Sequence, residues 1–411
     1  MTGEIIRKIV DIIFIILDII IIGYVLYFFI TGLFAFKKEK KKNKSKEKLK
    51  FAVLIPARNE ENIIDNLILS LQAQKYPKEK YDIFVILNNC TDKTEEIVKE
   101  LGVNVINCIP GIKNKGEALK YGFSYMIKNY PEYEAYAIFD ADNVVHPRFL
   151  QEMNNAMCLG YDVVQGYRDS KNPSDSWISC SYTLFYLVQN YFFNRARVRM
   201  NYSASINGTG FAVTKKIIEE HGFKTVTITE DIEYAALCSL NDVPIYFAEK
   251  AITYDEQPIN FGTSWKQRKR WSIGTMSCMK NYSSKLTKKA VKEKRAQSFD
   301  MALFYMAPII QILSFFVIVF YMFWNIFEPG IFIGKVVTII ASYVTCVAFS
   351  IATLLLTKRK IKKYIKGIFT LPFFILTWIP INIVCLFVKE IKWEQIKHQR
   401  KVEVESIVKF D

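Results

Sequence analysis

Apolar and polar positions along this chain change their period twice. Residues 12 to 36, "IIFIILDIIIIGYVLYFFITGLFAF", form an apolar run of 25 residues in which Asp18 is the only charge. About 20 such residues cross a hydrocarbon core as a helix, so a spanning helix is predicted here. A signal peptide would carry an apolar stretch about half as long, ending in a small-residue cleavage site. The pattern then shortens. "FAVLIPA" (51–57), "YDIFVILNN" (81–89), "VNVINC" (103–108) and "YEAYAIFD" (133–140) have the length and apolar character of strands. Between them stand three helical stretches. "NEENIIDNLILSLQAQ" repeats Ile63, Ile64, Leu67 and Leu71 at helical spacing, "TDKTEEIVKEL" opens with a threonine cap and acids, and "NKGEALKYGFSYMIKN" follows. Such alternation predicts an α/β domain whose ligands bind beyond the carboxyl ends of its strands.

Long uncharged runs return at 301–327, 336–357 and 367–388. "EPGIFIGK" reads as an outer turn between the first two, and "KRKIKKYIK" as a cytoplasmic one before the third. Four full spans would place the basic tail outside, so the last segment, which holds Pro372 and Pro380, is predicted to be re-entrant or interfacial. The expected organisation is therefore an anchor (1–36), a basic linker (37–50), a catalytic-sized domain (51–275), a basic interfacial segment (276–300), a membrane region (301–388) and a basic cytosolic tail (389–411).

Composition agrees with two regimes in one chain: 411 residues, 51% of them apolar and 15% aromatic. The net charge of +15 would by itself suit nucleic acid, a membrane face or an anionic substrate. Position decides. Nine lysines against two glutamates follow the first span, and the basic residues cluster at membrane flanks, which places the domain on the cytosolic face of the cell membrane and excludes nucleic acid as partner. Eight scattered cysteines without a CxxC pair, and three histidines, argue against a zinc site or disulfide frame. A transporter would show duplicated halves and more intramembrane charge than Asp11 and Asp18.

Three strand ends carry polar residues suited to a nucleotide. Pro56, Arg58, Asn59 and Glu60 follow the first, and "NNCTD" follows the second, although both also read as turns and helix caps. "DAD" ends the fourth. Asp140 and Asp142 repel each other unless a cation lies between them, and a hard divalent ion bridging diphosphate oxygens is the economical partner. Further on, Glu230 and Asp231 open a helix, either as caps or as carboxylates that take a proton from a hydroxyl. Gln267, Arg270 and Trp271 stand in "SWKQRKRWSIG", where a membrane-facing basic stripe is the plainer reading.

In this order, "FAVLIPARNEE", "NNCTDKT", "NKGEALKYG", "FDADN", "INGTGFAV", "TEDIEYA", "YDEQP" and "QRKRW" resemble the membrane-embedded family 2 glycosyltransferases, the group of cellulose, chitin and hyaluronan synthases. The resemblance covers about residues 51 to 275. It implies a GT-A fold inserted between transmembrane helices, a nucleoside-diphosphate sugar as donor, UDP-linked, and Mg²⁺ or Mn²⁺. Asp140 and Asp142 would match the DxD that binds metal and diphosphate. Asp231 would be the general base of the TED motif, with Glu230 beside it, and attack would invert the anomeric carbon. Arg270 would bind diphosphate, Trp271 would floor the acceptor site, and Gln267 completes QxxRW. Pro56, Arg58, Glu60, Asn88, Asp92 and Lys115 would hold the nucleotide, and Gly208, Thr209 and Gly210 would approach the acceptor terminus. Asn88 stands where the family carries an aspartate toward the base, which removes charge assistance from that hydrogen bond.

The acceptor stays open at this level. A polysaccharide synthase extending a glycan and a transferase adding one sugar to a lipid both fit, with membrane lipid around either. So few segments would need a homodimer or an export partner to form a pore. A catalytically silent subunit would be expected to have lost one of the carboxylates.

Overall fold

A computed structural model describes residues 2–38, 46–388 and 400–402. Apart from Arg400 to Val402, the expected tail lies outside the described residues, as does half of the basic linker, residues 39–45. Eight strands form one sheet: β1 Phe51–Ala57, β2 Tyr81–Leu87, β3 Asn104–Asn107, β4 Ala135–Ile138, β5 Val144–Val145, β6 Val163–Ser170, β7 Phe211–Thr214 and β8 Ile245–Asp255. Their order is β3-β2-β1-β4-β7-β6-β8-β5.

Both faces of β1 are covered, which is why its apolar run is continuous rather than alternating. With a period of two, Ala52 and Leu54 join Phe84, Ile86 and Leu119 in one core, and Phe51, Val53 and Ile55 join Val85 and Leu67 in the other. Helix Ile64–Gln72 supplies Leu67 to the second core and helix Lys115–Asn129 supplies Leu119 to the first. These helices and the four strands from β1 to β4 lie where the apolar pattern puts them. One local expectation differs: the helix after β2 starts at Thr94, and Asn59 Oδ1 accepts the backbone N–H of Thr91, so Thr91 is not its cap.

Topology gathers the polar segments. β1, β2 and β4 run parallel, so their carboxyl ends share an edge. β7 is antiparallel to β4 with Phe211 opposite Ile138, which brings the segment before β7, Gly208 to Gly210, to that same edge. β6 and β8 pair in parallel with Ser170 opposite Asp255, so their ends arrive there too.

Among the described residues, four stretches are long and apolar enough to cross a membrane: Glu4–Phe36, Ala307–Trp324, Pro329–Leu356 and Ile361–Phe387. Most of "EPGIFIGK" proves to be helix, because Pro329 sits at the first helical position, where a missing N–H costs nothing. The segment 276–300 also differs from expectation. Helix Phe261–Lys292 runs through residue 275 without a break, and Cys278, Leu286, Met301 and Tyr305 join the core beneath β2 and β4.

The last apolar stretch is two helices, Ile365–Leu376 and Trp378–Phe387, divided at Thr377. Both pack against helices of the sheet domain. Gly367 packs on Cys180, Thr377 Oγ1 accepts from Arg268 at 2.6 Å, and Cys385 Sγ donates to the Lys269 carbonyl. Beyond them, Arg400 pairs with Asp175, Lys401 pairs with Asp65 at 2.6 Å, and the Val402 N–H donates to Asn66. The first helix is tied to a buried ion pair of the domain: Arg197 meets Asp300 at 2.9 and 3.0 Å, and Tyr27 Oη of the first helix donates to Asp300 at 2.9 Å.

Candidate active site

The shared strand edge opens on a cavity of about 350 Å³. Lys115, the first residue of its helix, reaches across it. Its ammonium lies 2.5 Å from Asp140, 3.2 Å from Glu230 and 2.6 Å from the Gly208 carbonyl. Burial works against that charge, but Asp140 and then Glu230 outweigh it and keep the ammonium charged well above the ordinary lysine range.

Asp231 completes the cluster. A Cβ on Gly208 would lie 3.1 Å from Asp231 Oδ2, so the carboxylate is pressed against the chain where only glycine, here at φ +77°, leaves room. Burial pushes the Asp231 carboxyl up to about 6, neighbouring Glu230 pushes the same way, and Lys115 opposes them. The turn before Glu230 is fixed from the other side: a Cβ on Gly274 would fall 1.9 Å from Thr229 Oγ1, so Gly274 lets helix Phe261–Lys292 close on it.

Of the sequence-picked residues, Pro56, Arg58, Glu60, Asn88, Lys115, Asp140, Asp142, Gly208, Glu230, Asp231, Gln267, Arg270 and Trp271 line this cavity. Thr209 and Gly210 lie behind its wall. The Thr209 hydroxyl accepts the Asp140 N–H at 3.0 Å and donates to Asn143, whose amide donates to Asp142 at 3.2 Å. Asp92 points elsewhere. It accepts the Glu61 N–H at 3.1 Å and the Thr94 N–H at 3.1 Å. Burial would raise its carboxyl, but the Thr94 and Glu61 hydrogen bonds prevail and hold it below the ordinary range.

Within "QRKRW" the two arginines part company. Arg270 lines the cavity, whereas Arg268 is fully buried and donates to the Phe374 carbonyl at 3.1 Å. Trp271 stacks on Trp378 with centroids 6.3 Å apart and planes at 23°.

Sequence reading missed four contributors. Arg168 pairs with Asp255, its Nε 2.7 Å away, and donates to the Asn207 carbonyl at 3.1 Å. Burial would discharge Arg168, yet Asp255 keeps its charge above even the usual arginine range. Asp255 stands in "YDEQP", which carries the resemblance without an assigned role, while Arg168 stands in "GYRDS", which has no motif. Gln189 and Trp378 came from stretches legible only as apolar.

Asp140 and Asp142 offer hard oxygen donors to Mg²⁺ or Mn²⁺. Among the described residues no three of His, Cys, Asp and Glu group as a metal cage. A pair of carboxylates facing a cavity suits an ion that takes its remaining ligands from phosphate and water. The residues therefore fit the ion.

Comparison with known families matches residues 49–274 to "Glycosyltransferase like family 2". The chain is 27% identical over 375 residues to a probable glycosyltransferase, YdaM, of Bacillus subtilis, covering 87% of this chain and 86% of that protein. It is 24% identical over 264 residues to the beta-monoglucosyldiacylglycerol synthase of a Nostoc species, covering 62% of this chain and 54% of that one. To the poly-beta-1,6-N-acetyl-D-glucosamine synthase of Staphylococcus aureus it is 25% identical over 258 residues, covering 61% and 60%. Among solved structures, the mannosyltransferase PcManGT of Pyrobaculum calidifontis, in complex with GDP-Man and Mn²⁺, superposes with a TM-score of 0.59 at 16% identity over 92% of this chain and 99% of that one.

Proposed function

Because the chain belongs to glycosyltransferase family 2, we propose that it transfers a sugar from a nucleoside-diphosphate sugar, UDP-linked, to a growing glycan at the cytosolic membrane face, with inversion. It is a transferase with the GT-A fold. One observation carries the reading: Asp231, with its raised carboxyl, shares a cavity with Asp140, Asp142 and Lys115.

The nucleotide lies along the ends of β1 and β2, against Pro56, Arg58, Glu60 and Asn88, and Asp92 supports that loop from behind. Asp140 and Asp142 would hold the metal, and Mg²⁺ or Mn²⁺ bound there would neutralise charge on the diphosphate. Arg270 and Lys115 line the same cavity and supply positive charge to the diphosphate. Asp231 accepts the proton of the acceptor hydroxyl as that oxygen attacks the anomeric carbon from the face opposite the diphosphate. Glu230 keeps Asp231 basic through like-charge repulsion. Gln267, Trp271 and Trp378 form the floor on which an acceptor sugar stacks, and Gly208 lets it approach the backbone while Thr209 and Gly210 support that turn from behind.

Transfer to a lipid acceptor is the second reading. Phe193 and Phe304 line the cavity, and Phe193 also stacks on Phe28 of the first apolar helix, which suits an acceptor arriving from the bilayer. Nucleoside-diphosphate release by the purified protein against a panel of UDP- and GDP-sugars with Mg²⁺ or Mn²⁺ tests the proposal. Asp231→Asn is expected to cut kcat about 10²-fold or more with donor binding nearly intact. Wild-type turnover by that variant would remove Asp231 as the base.

A further inference from the structure

The helix that starts at Trp177 gives way at Gln189 to a π-helical segment ending at Arg195. Such segments gather at functional sites, because the wider turn re-aims side chains. Here Gln189 and Phe193 both line the cavity. A polar network holds the first of them. Asn194 Oδ1 accepts the Ser205 N–H at 3.0 Å and its hydroxyl at 2.9 Å, and Gln189 Nε2 donates to Asn207 Oδ1 at 3.2 Å and to Ser205 Oγ at 3.3 Å. Asn207 immediately precedes Gly208, the residue pressed against Asp231, and also lines the cavity.

Three atoms of this network are closed to water and have no partner: Asn194 Nδ2, on a residue away from the cavity lining, and Gln189 Oε1 and Asn207 Nδ2, on residues that line it. Leaving a buried amide atom unpaired costs about 1–3 kcal/mol. Of the two on lining residues, Gln189 Oε1 is an acceptor and Asn207 Nδ2 a donor, and a hydroxyl, which donates and accepts, matches that pair. Terminal amide torsions are soft, so the two amides are free to turn within the cavity wall their residues form. Asn207 adjoins Gly208, which is pressed against Asp231, so the pair stands beside the carboxylate assigned to the acceptor hydroxyl.

Resting on the transferase reading above, we propose that Gln189 and Asn207 read a second hydroxyl of the acceptor, next to the one that loses its proton. The acceptor then ends in a sugar. A diacylglycerol, with a single hydroxyl, leaves both amide atoms unmet. This distinguishes the acceptor's terminus, whether a free glycan or a glycan carried on lipid bears it.

The full-length protein in detergent, with the donor it turns over, is assayed against octyl glycosides of glucose, mannose and N-acetylglucosamine and against 1,2-dioctanoylglycerol. A glycoside is expected to raise nucleoside-diphosphate release and dioctanoylglycerol is not. Gln189→Leu is expected to raise the glycoside KM about tenfold, the worth of one neutral hydrogen bond, with donor KM changed less than twofold. Monodeoxy glycosides on the wild-type protein give the same answer if the variant does not fold: removal of one hydroxyl other than the attacking one raises KM about tenfold. Preference for dioctanoylglycerol, a flat deoxy series, or an equal rise in donor KM overturns the inference. If no donor is turned over with any acceptor, the transferase reading falls first and this one with it.

Discussion

Asp231 concentrates the chemistry of the molecule in one carboxyl. A base with its pKa raised to about 6 is ready near neutral pH and is lost by protonation below it. The expected profile of kcat/KM therefore rises tenfold per pH unit up to about 6 and flattens above, the limb belonging to the Glu230, Asp231 and Lys115 cluster as a whole. Lys115 lowers the Asp231 pKa, so Lys115→Met is expected to move the limb to higher pH; an unmoved limb would show that the ammonium does not act on this base. For the metal, Asp142→Ala is expected to raise the Mn²⁺ concentration for half-maximal activity by tenfold or more, read from a metal titration at saturating donor.

At the scale of elements, the site depends on joints that no motif names. Gly274 seats helix Phe261–Lys292 on the turn before Glu230, and Arg268 fastens the same helix to the break at Thr377. The Arg197–Asp300 pair joins helices Ala196–Arg199 and Ala296–Tyr305, Tyr27 of the first apolar helix donates to it, and Asp300 also lines the cavity. Removing one partner of a buried pair leaves a charge without compensation, so Asp300→Ala is expected to lose about 3–5 kcal/mol of stability. A detergent-phase melting curve within a degree of wild type would refute that. The motif "QRKRW" shows how far spacing carries: it marks the helix, while only packing separates the buried Arg268 from the cavity-lining Arg270.

For the whole molecule, the arrangement of the last apolar stretch follows from its contacts. Helices of 12 and 10 residues are each too short to span, and both touch the domain face, as do Arg400 to Val402. We propose that residues 361–387 lie in the interface, so that three helices cross and the chain returns to the cytosol. In a protein with its native cysteines replaced, a cysteine at Phe327 is expected to label from outside and one at Val388 only after the membrane is opened. Labelling of both from outside would make the last stretch a span.

Local chemistry was enough to read much of this protein from its sequence. β1 to β4, the apolar helices and the order of the polar strand ends follow from hydrophobic period, and period acts between near neighbours along the chain. The carboxylates were legible for a related reason, since charges at the ends of buried strands need a partner wherever the strands pair. What only the tertiary structure decided is who that partner is. Sheet order sets β7 against β4 and brings Gly208 to Asp231; a helix from the far end of the chain sets Trp378 on Trp271; and β6 with β8 joins Arg168 to Asp255. Each of these contacts spans tens to over a hundred residues. Spacing along the chain carries no information about them, because their energy comes from packing and desolvation that exist only once the sheet has closed.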